Sequence, residues 1–258
     1  MKRMKMRGAL PRWPVAGASL LLAATMAHAD IVVGAGATTD WYDTDLGCTD
    51  VIVDGTLNMQ GGSLSNVRNV VIGAGGTINM AGGSITLAGN WTNGGSFVAG
   101  GGGVSFVDDV ACPTPPVGST IGGNTSFDTL SIASSTGKLY TFVAGSVQTV
   151  AGALTLTGTA GTPLKIESST PGTPSADIKL AAGGTQNLAN LAVRGMQASG
   201  QWLAPGQANQ GAGPVSRWFG TPTPPGGVAP IPTTSQWTLL LMSLALAGLA
   251  VRTRRNQS

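Results

Sequence analysis

The densest group of residues that could do chemistry is a set of aspartates near the start of the chain. Five of the 11 acidic residues fall in one short stretch: Asp40, Asp43, Asp45, Asp50 and Asp54. Carboxylate oxygens are the ligands that Ca²⁺ prefers, but the stretch lacks the third Asp or Asn and the distant glutamate of a calcium loop. We therefore interpret it as a solvated cap on the first structural repeat, with a calcium site as the alternative.

A second acidic feature is the adjacent pair Asp108-Asp109. Paired carboxylates can serve as acid and base in polysaccharide cleavage. Successive residues of a strand point to opposite faces, so in a strand the two side chains would not share a cleft. We interpret the pair as a polar turn and predict that the protein is not an enzyme.

Histidine chemistry is excluded if the N-terminal segment is removed. The single histidine is His28, which lies in that segment. The remaining chain then has no Ser-His or Cys-His couple and no histidine metal ligand. The glycine runs Gly73–Gly76 and Gly100–Gly103 are not followed by a lysine in phosphate-loop register, so we expect corners there and predict no cofactor.

The two cysteines, Cys48 and Cys112, are the remaining reactive pair. An exported chain meets an oxidising compartment, where a disulfide between them would form. The alternative is two unpaired, buried thiols. Four tryptophans could stack on sugars, although scattered tryptophans are more often core or cap residues: Trp41, Trp91, Trp202 and Trp218.

The segment that must position these residues is β-rich throughout. Short alternating apolar runs bounded by glycine recur, and no window shows helical spacing. The run Gly55-Thr56-Leu57-Asn58-Met59 returns as Gly76-Thr77-Ile78-Asn79-Met80. A period near 20 residues with glycine corners is typical of a β-solenoid, in which Leu57 stacks on Ile78 and Asn58 on Asn79.

The sequence thus predicts an all-β fold, a Gly-rich parallel β-solenoid or β-helix, over residues 30–220. The alternative is an antiparallel β-sandwich with similar hairpins. At about 21 residues per coil, residues 51–200 hold roughly seven coils. Prolines interrupt the pattern at 112–120, which predicts a loop or a boundary there. Residues 197–217 look like a loose cap, and the Pro- and Gly-rich residues 221–230 look like a linker.

The N-terminal residues 1–29 have the features of a secretory signal peptide. Five basic residues precede an apolar run, and Ala27-His28-Ala29 fits a small-x-small cleavage site. A retained N-terminal helix is the alternative. Without both ends, the segment from Asp30 to Pro230 keeps six basic and 11 acidic residues, a net charge of −5. This charge argues against nucleic acid as a partner.

The C-terminal residues 231–258 combine a polar signature, an apolar segment and a basic end. The apolar residues 237–251 form a short candidate transmembrane helix with Trp237 at one edge. The basic end, Arg252, Arg254 and Arg255, should stay in the cytoplasm and set the topology. The bulk of the chain is therefore expected outside the cytoplasm.

This tail resembles IPTL-CTERM sorting domains. The resemblance is carried by the signature residues Ile231, Pro232, Thr233, Ser235 and Trp237. It implies processing by an exosortase-type membrane transpeptidase and delivery from an inner-membrane intermediate to the envelope, surface or matrix. Three positions depart from the pattern: Thr234, Gln236 and Thr238. A plain, unprocessed membrane anchor is the alternative.

The sequence as a whole indicates an exported structural or adhesive protein. The segment before the tail resembles Gly-rich bacterial surface β-helix proteins in composition. Its expected partners are the membrane, the processing enzyme, and an extracellular polysaccharide or a host or neighbouring cell surface. A carbohydrate-binding or carbohydrate-cleaving β-helix is the second interpretation.

Overall fold

The computed structural model describes residues 30–110 and 112–221, and these residues form β-strands joined by turns and loops, without helices. The strands are β1 (Ile31–Val33), β2 (Thr38–Asp40), β3 (Thr44–Val53), β4 (Thr56–Asn58), β5 (Ser63–Ile72), β6 (Thr77–Asn79), β7 (Ser84–Leu87), β8 (Trp91–Asn93), β9 (Ser96–Val98), β10 (Gly103–Phe106), β11 (Gly118–Gly122), β12 (Thr125–Ala133), β13 (Leu139–Phe142), β14 (Val147–Thr157), β15 (Leu164–Ser168), β16 (Ala176–Leu180), β17 (Thr185–Ala189), β18 (Leu191–Arg194), β19 (Met196–Gly200) and β20 (Val215–Ser216).

Every pairing between these strands is parallel, so the chain winds as a solenoid. The ladders define three faces. The first face stacks β1, the ends of β3 and β5, then β8, β11, β13, β15 and β18. The second face stacks β2, β4, β6 and β9, and continues in the starts of β12 and β14, then β16, β19 and β20. The third face stacks the starts of β3 and β5, then β7, β10, the ends of β12 and β14, and β17.

The prediction of a parallel solenoid is confirmed for the described residues. An antiparallel sandwich would need antiparallel ladders, whereas the antiparallel contact found among these residues is the isolated bridge between Thr159 and Thr162. On the first face the early coils take 19 to 21 residues, as from Val51 to Val70 and from Val70 to Trp91. The coil that carries the proline-rich segment takes 30, from Trp91 to Ile121.

The repeated sequence stacks in the predicted register. Leu57 lies beside Ile78 and Asn58 beside Asn79 in the parallel pair of β4 and β6. The Nδ2 atom of Asn79 donates to Oδ1 of Asn58 at 2.9 Å, which is the amide ladder expected from the repeat. Because side chains of a strand alternate, Leu57 and Ile78 are fully buried while the amides line the outside.

One continuous core fills the interior from the first coil to the last. On the second face, β9 and β12 belong to different sheets, and aromatic rings pack between them. The ring centroids of Phe97 in β9 and Phe127 in β12 are 5.6 Å apart, and those of Trp91 and Phe97 are 5.1 Å apart. Trp91 is fully buried, which removes it from any surface role. Such aromatic contacts continue the stack of apolar side chains where backbone hydrogen bonds between β9 and β12 are missing.

The expected loose cap at residues 197–217 is partly wrong. Its start is strand β19, and β20 adds a further parallel rung on β19. Between them the Oδ1 atom of Asn209 accepts from the backbone N–H of Val193 at 2.9 Å, and Gln210 N–H donates to the carbonyl of Leu191. The side-chain amide of Asn209 and the backbone of Gln210 thus take the place of a strand on the last coil, which hydrophobic alternation alone does not reveal.

No helix long and apolar enough to cross a membrane occurs in residues 30–110 and 112–221. The predicted signal peptide with Ala27 and Ala29, the sorting signature and the candidate transmembrane segment lie outside the described residues.

Candidate functional site

The aspartates of the first coil bind the second coil through hydrogen bonds. Oδ1 of Asp40 accepts from Nδ2 of Asn58 at 2.8 Å, so the carboxylate ends the amide ladder of the second face. Oδ1 of Asp43 accepts from both the backbone N–H and the hydroxyl of Ser63, each at 2.9 Å. Carboxylates suit this end position because they only accept hydrogen bonds.

Asp45 and Asp50, both in β3, also bind residues of the second coil. Oδ1 of Asp45 accepts from Asn66 at 2.8 Å and from the Gly47 N–H at 3.0 Å. The hydrogen bond from Asn66 and then that from Gly47 lower the pKa of the Asp45 carboxyl. Asp50 forms a two-point ion pair with Arg68, with both N···O distances 2.7 Å. Burial raises the pKa of Asp50, but the hydrogen bonds and charge of Arg68 outweigh burial and lower it.

These contacts favour the cap over the calcium site. Within the described part of the chain, no group of three or more His, Cys, Asp or Glu side chains could hold a metal ion. Four of the five aspartates, Asp40, Asp43, Asp45 and Asp50, each accept from a donor on the second coil. They therefore tie the first two coils together.

The two cysteines form a disulfide that closes the proline-rich segment over a corner of the solenoid. Cys48 lies in β3 with a positive φ of 70°, and Cys112 lies in the connection between β10 and β11, with a Cα–Cα distance of 5.0 Å. We call residues 107–110 and 112–117 the strap. Val107 and Val110 of the strap pack with both cysteines and with Ala88, in a small apolar cluster separate from the main core.

A buried lysine that no sequence motif singles out holds the base of the strap. Lys138 is 5% exposed, and its Nζ donates to the carbonyl oxygens of Ala88, Val107 (3.3 Å) and Asp108 (3.5 Å). Burial lowers the pKa of this ammonium, against the opposing effect of the Asp108 and Asp109 charges. One signal could have found it: Lys138 is the one basic residue between Arg68 and Lys165.

Tyr140 supports the same base from within the core. Its ring is fully buried, lies 5.4 Å from the Lys138 ammonium, and its hydroxyl donates to the Val107 carbonyl at 3.2 Å. Burial, and then the charge of Asp108, raise the pKa of this hydroxyl. The tyrosine therefore stays protonated and keeps its hydrogen bond over the ordinary pH range.

Asp108 and Asp109 line one cleft beside the strap, which corrects the expectation that they face apart. The pair lies in a loop rather than in a strand, so the alternation of strand side chains does not apply. The cleft has a volume of about 430 Å³, and its other walls come from the third-face corner, including Ser135, Thr157 and Thr159.

Both carboxylates nevertheless have structural partners. Oδ2 of Asp108 accepts from the backbone N–H groups of Ser135 and Thr136 at 2.8 and 3.0 Å, and Oδ1 of Asp109 accepts from the Cys112 N–H at 3.2 Å. Burial raises the pKa of Asp108, but hydrogen bonds from Ser134, Ser135 and Thr136 outweigh it and lower the pKa. A general acid at neutral pH needs a raised pKa, so this environment favours the polar turn over acid catalysis.

The other tryptophans offer little free ring surface for a sugar. Trp218 is 3% exposed, and Trp41 packs half-buried against the core of the first coil. One face of Trp202 is covered by the guanidinium of Arg217, 5.8 Å from the ring. The structure thus places the four tryptophans in the core and at the two ends of the solenoid.

Comparison with known families gives one result, and it concerns the tail. Residues 229–256 match the family model described as the IPTL-CTERM motif. The C-terminal segment is an IPTL-CTERM sorting motif. This motif indicates a membrane-anchored surface protein that an exosortase-type enzyme processes.

The comparison with curated proteins and the comparison with solved structures each gave no match. The resemblance of the solenoid to Gly-rich surface β-helix proteins therefore has no support beyond its composition and its fold.

Proposed function

We propose that this chain is a non-catalytic structural or adhesive component of the cell surface or extracellular matrix. The leader exports it, and the IPTL-CTERM motif delivers it to the envelope, where the exosortase-type enzyme cuts near the signature. The solenoid is then the delivered part. The observation that carries this proposal is the motif at residues 229–256 joined to a parallel solenoid.

The use of the acidic residues supports a structural role. Asp40, Asp43, Asp45 and Asp50 each bind a donor on the next coil, and Asp108 fixes the backbone at Ser135 and Thr136. Groups that could act as acids or nucleophiles thus hold coils together. Each coil of a solenoid contacts only its neighbours, so bonds between successive coils hold the whole stack together. A stack held in this way suits a rigid spacer.

Processing is tested with the full chain in a host that has an exosortase-type enzyme. We expect intact-mass analysis of the envelope fraction to show loss of both ends from the wild type. Replacement of Ile231, Pro232 and Thr233 by alanine should leave the tail attached and the protein in the inner membrane. The matched control replaces Thr221, Pro222 and Thr223, outside the motif. Equal processing of the signature variant would contradict the proposal.

A second candidate function is carbohydrate binding at the strap cleft. The observation that favours it is a cleft of about 430 Å³ lined by the polar residues Asp108, Asp109, Ser135, Thr157 and Thr159. Glycan-array binding that is lost in Thr157→Val, with no reducing sugar released, would support this function. Release of reducing sugar that disappears in Asp108→Asn would instead indicate cleavage.

A further inference from the structure

The first coil exposes strand edges that the rest of the solenoid covers. Among the described residues, β1 pairs only with β3, and β2 pairs only with β4. Each therefore presents one row of backbone N–H and C=O groups away from the stack. Open strand edges are templates for pairing with another strand, and solenoids commonly close them with a capping element.

The last coil has the same property at the opposite end. In the described part of the chain, β20 pairs with β19 alone. Its partly exposed Val215 packs against the core, as does Phe219 just beyond it. At the first coil, Ile31 and Trp41 are likewise packed against the core but only partly buried. The partly exposed ends of the core thus lie at both ends of the stack.

The two ends carry opposite charge. Residues 30–49 contain four aspartates and no lysine or arginine, whereas residues 191–221 contain Arg194 and Arg217 and no acidic residue. Asp40 is the last residue of β2, and Arg217 directly follows β20. Both strands belong to the second face, so a continued stack would bring the acidic and the basic side chain together.

We propose that the solenoid assembles head to tail, with the first coil of one copy docked on the last coil of a second copy. The docked β2 would extend the second-face ladder from β20, cover Ile31 and Trp41 with Val215 and Phe219, and pair Asp40 with Arg217. A contact between two different surfaces of identical chains does not close on itself, so repeated docking produces a filament.

A second copy fits this edge better than an unrelated strand. Its last coil supplies a strand that runs parallel to β2, apolar residues that can cover the end of the core, and the opposite charge. The inference rests on the proposed structural role and on removal of the leader, which leaves Asp30 as the first residue of the open edge. A retained leader lying on that edge is the competing occupant, and it would block docking.

Two variants of the full chain that each add one cysteine, Thr38→Cys and Ser216→Cys, test the contact in detergent. The chain has two cysteines, and they form the Cys48–Cys112 disulfide, so a short bis-maleimide reports only the added thiols. We expect a cross-linked heterodimer when the variants are mixed, with peptides joined at positions 38 and 216, and little product from either alone. The control mixes Thr38→Cys with Thr155→Cys, on the side of the stack. Yield should fall by roughly threefold or more in 1 M salt.

Charge exchange distinguishes docking from a folding defect. Asp40→Arg in the first variant, or Arg217→Asp in the second, should lower the yield, and mixing the two exchanged chains should restore it. No heterodimer at positions 38 and 216, or equal yield with the Thr155→Cys control, would overturn the inference. If the protein is sorted and processed but does not cross-link, the assembly proposal is wrong and the processing proposal stands. If it cross-links but keeps its tail, the processing proposal is wrong and the assembly proposal stands.

Discussion

The Nζ atom of Lys138 donates a hydrogen bond to the carbonyl oxygen of Ala88, 50 residues earlier in the chain. The same ammonium also donates to the carbonyls of Val107 and Asp108 at the start of the strap. A single cation thereby donates to three backbone carbonyls, of which those of Ala88 and Val107 also accept from the hydroxyls of Ser119 and Tyr140. Because Lys138 is buried, these carbonyls find their donors in the ammonium and the two hydroxyls rather than in water.

Lys138→Met should therefore destabilise the fold. Methionine keeps the length of the side chain but removes the ammonium from all three carbonyls. Those of Ala88 and Val107 keep the hydroxyl donors of Ser119 and Tyr140, whereas that of Asp108 loses its hydrogen bond, which costs about 1–3 kcal/mol. Urea unfolding of the full chain, followed by tryptophan fluorescence, measures the change. Lys179→Met is the control, since Lys179 is exposed and should change the free energy of unfolding by no more than about 0.5 kcal/mol. Equal effects of the two substitutions would contradict this role of Lys138.

Removal of the disulfide should have a larger effect. Cys48 and Cys112 are 64 residues apart, and closing such a loop stabilises by about 4 kcal/mol in the chain-entropy model. We expect Cys48→Ser/Cys112→Ser to lower the urea midpoint, and a reductant to lower the wild-type midpoint but not that of the variant. A wild type that shows two alkylatable thiols without reduction would refute the bridge.

The glycine corners predict a contrast between two neighbours. A Cβ on Gly76 would collide with the carbonyl oxygen of Val53 in the preceding coil. A Cβ on Gly75 would lie 3.5 Å from the backbone carbonyl oxygen of Asp54, which is an ordinary contact distance. Gly76→Ala should thus destabilise by about 1–3 kcal/mol, and Gly75→Ala by less than about 0.5 kcal/mol. The comparison uses urea midpoints of the two variants. Similar midpoints would show that the coils can move apart at this corner.

Acid should weaken the strap through Asp108. The folded state lowers the pKa of this carboxyl below its ordinary 3.8, so the unfolded chain binds the proton more readily. The stabilisation is complete above pH 3.8 and is lost as the pH falls through the lower, folded value. We expect the unfolding free energy of the wild type to fall more steeply below pH 4 than that of Asp108→Asn. Parallel curves for the two proteins would contradict this assignment.

The repeat determined the stacking of the coils from sequence alone. Leu57, Asn58 and Met59 return with one offset as Ile78, Asn79 and Met80, and the structure pairs Leu57 with Ile78 and Asn58 with Asn79. A solenoid is readable in this way because its nearest neighbours in space are one period apart in sequence. The tail was readable for a different reason, since a sorting motif is a short linear signal that needs no fold to be recognised.

Only the tertiary structure reveals the contacts between residues that are not one repeat apart in the sequence. The strap returns from the fourth coil to Cys48 of the first, and Lys138 reaches back to Ala88 past an intervening coil. It also placed Asp108 and Asp109 beside one cleft, because they lie in a loop rather than in a strand. Such contacts join positions with no periodic relation, so hydrophobic alternation carries no signal for them, and burial of one lysine becomes visible only when the chain is folded.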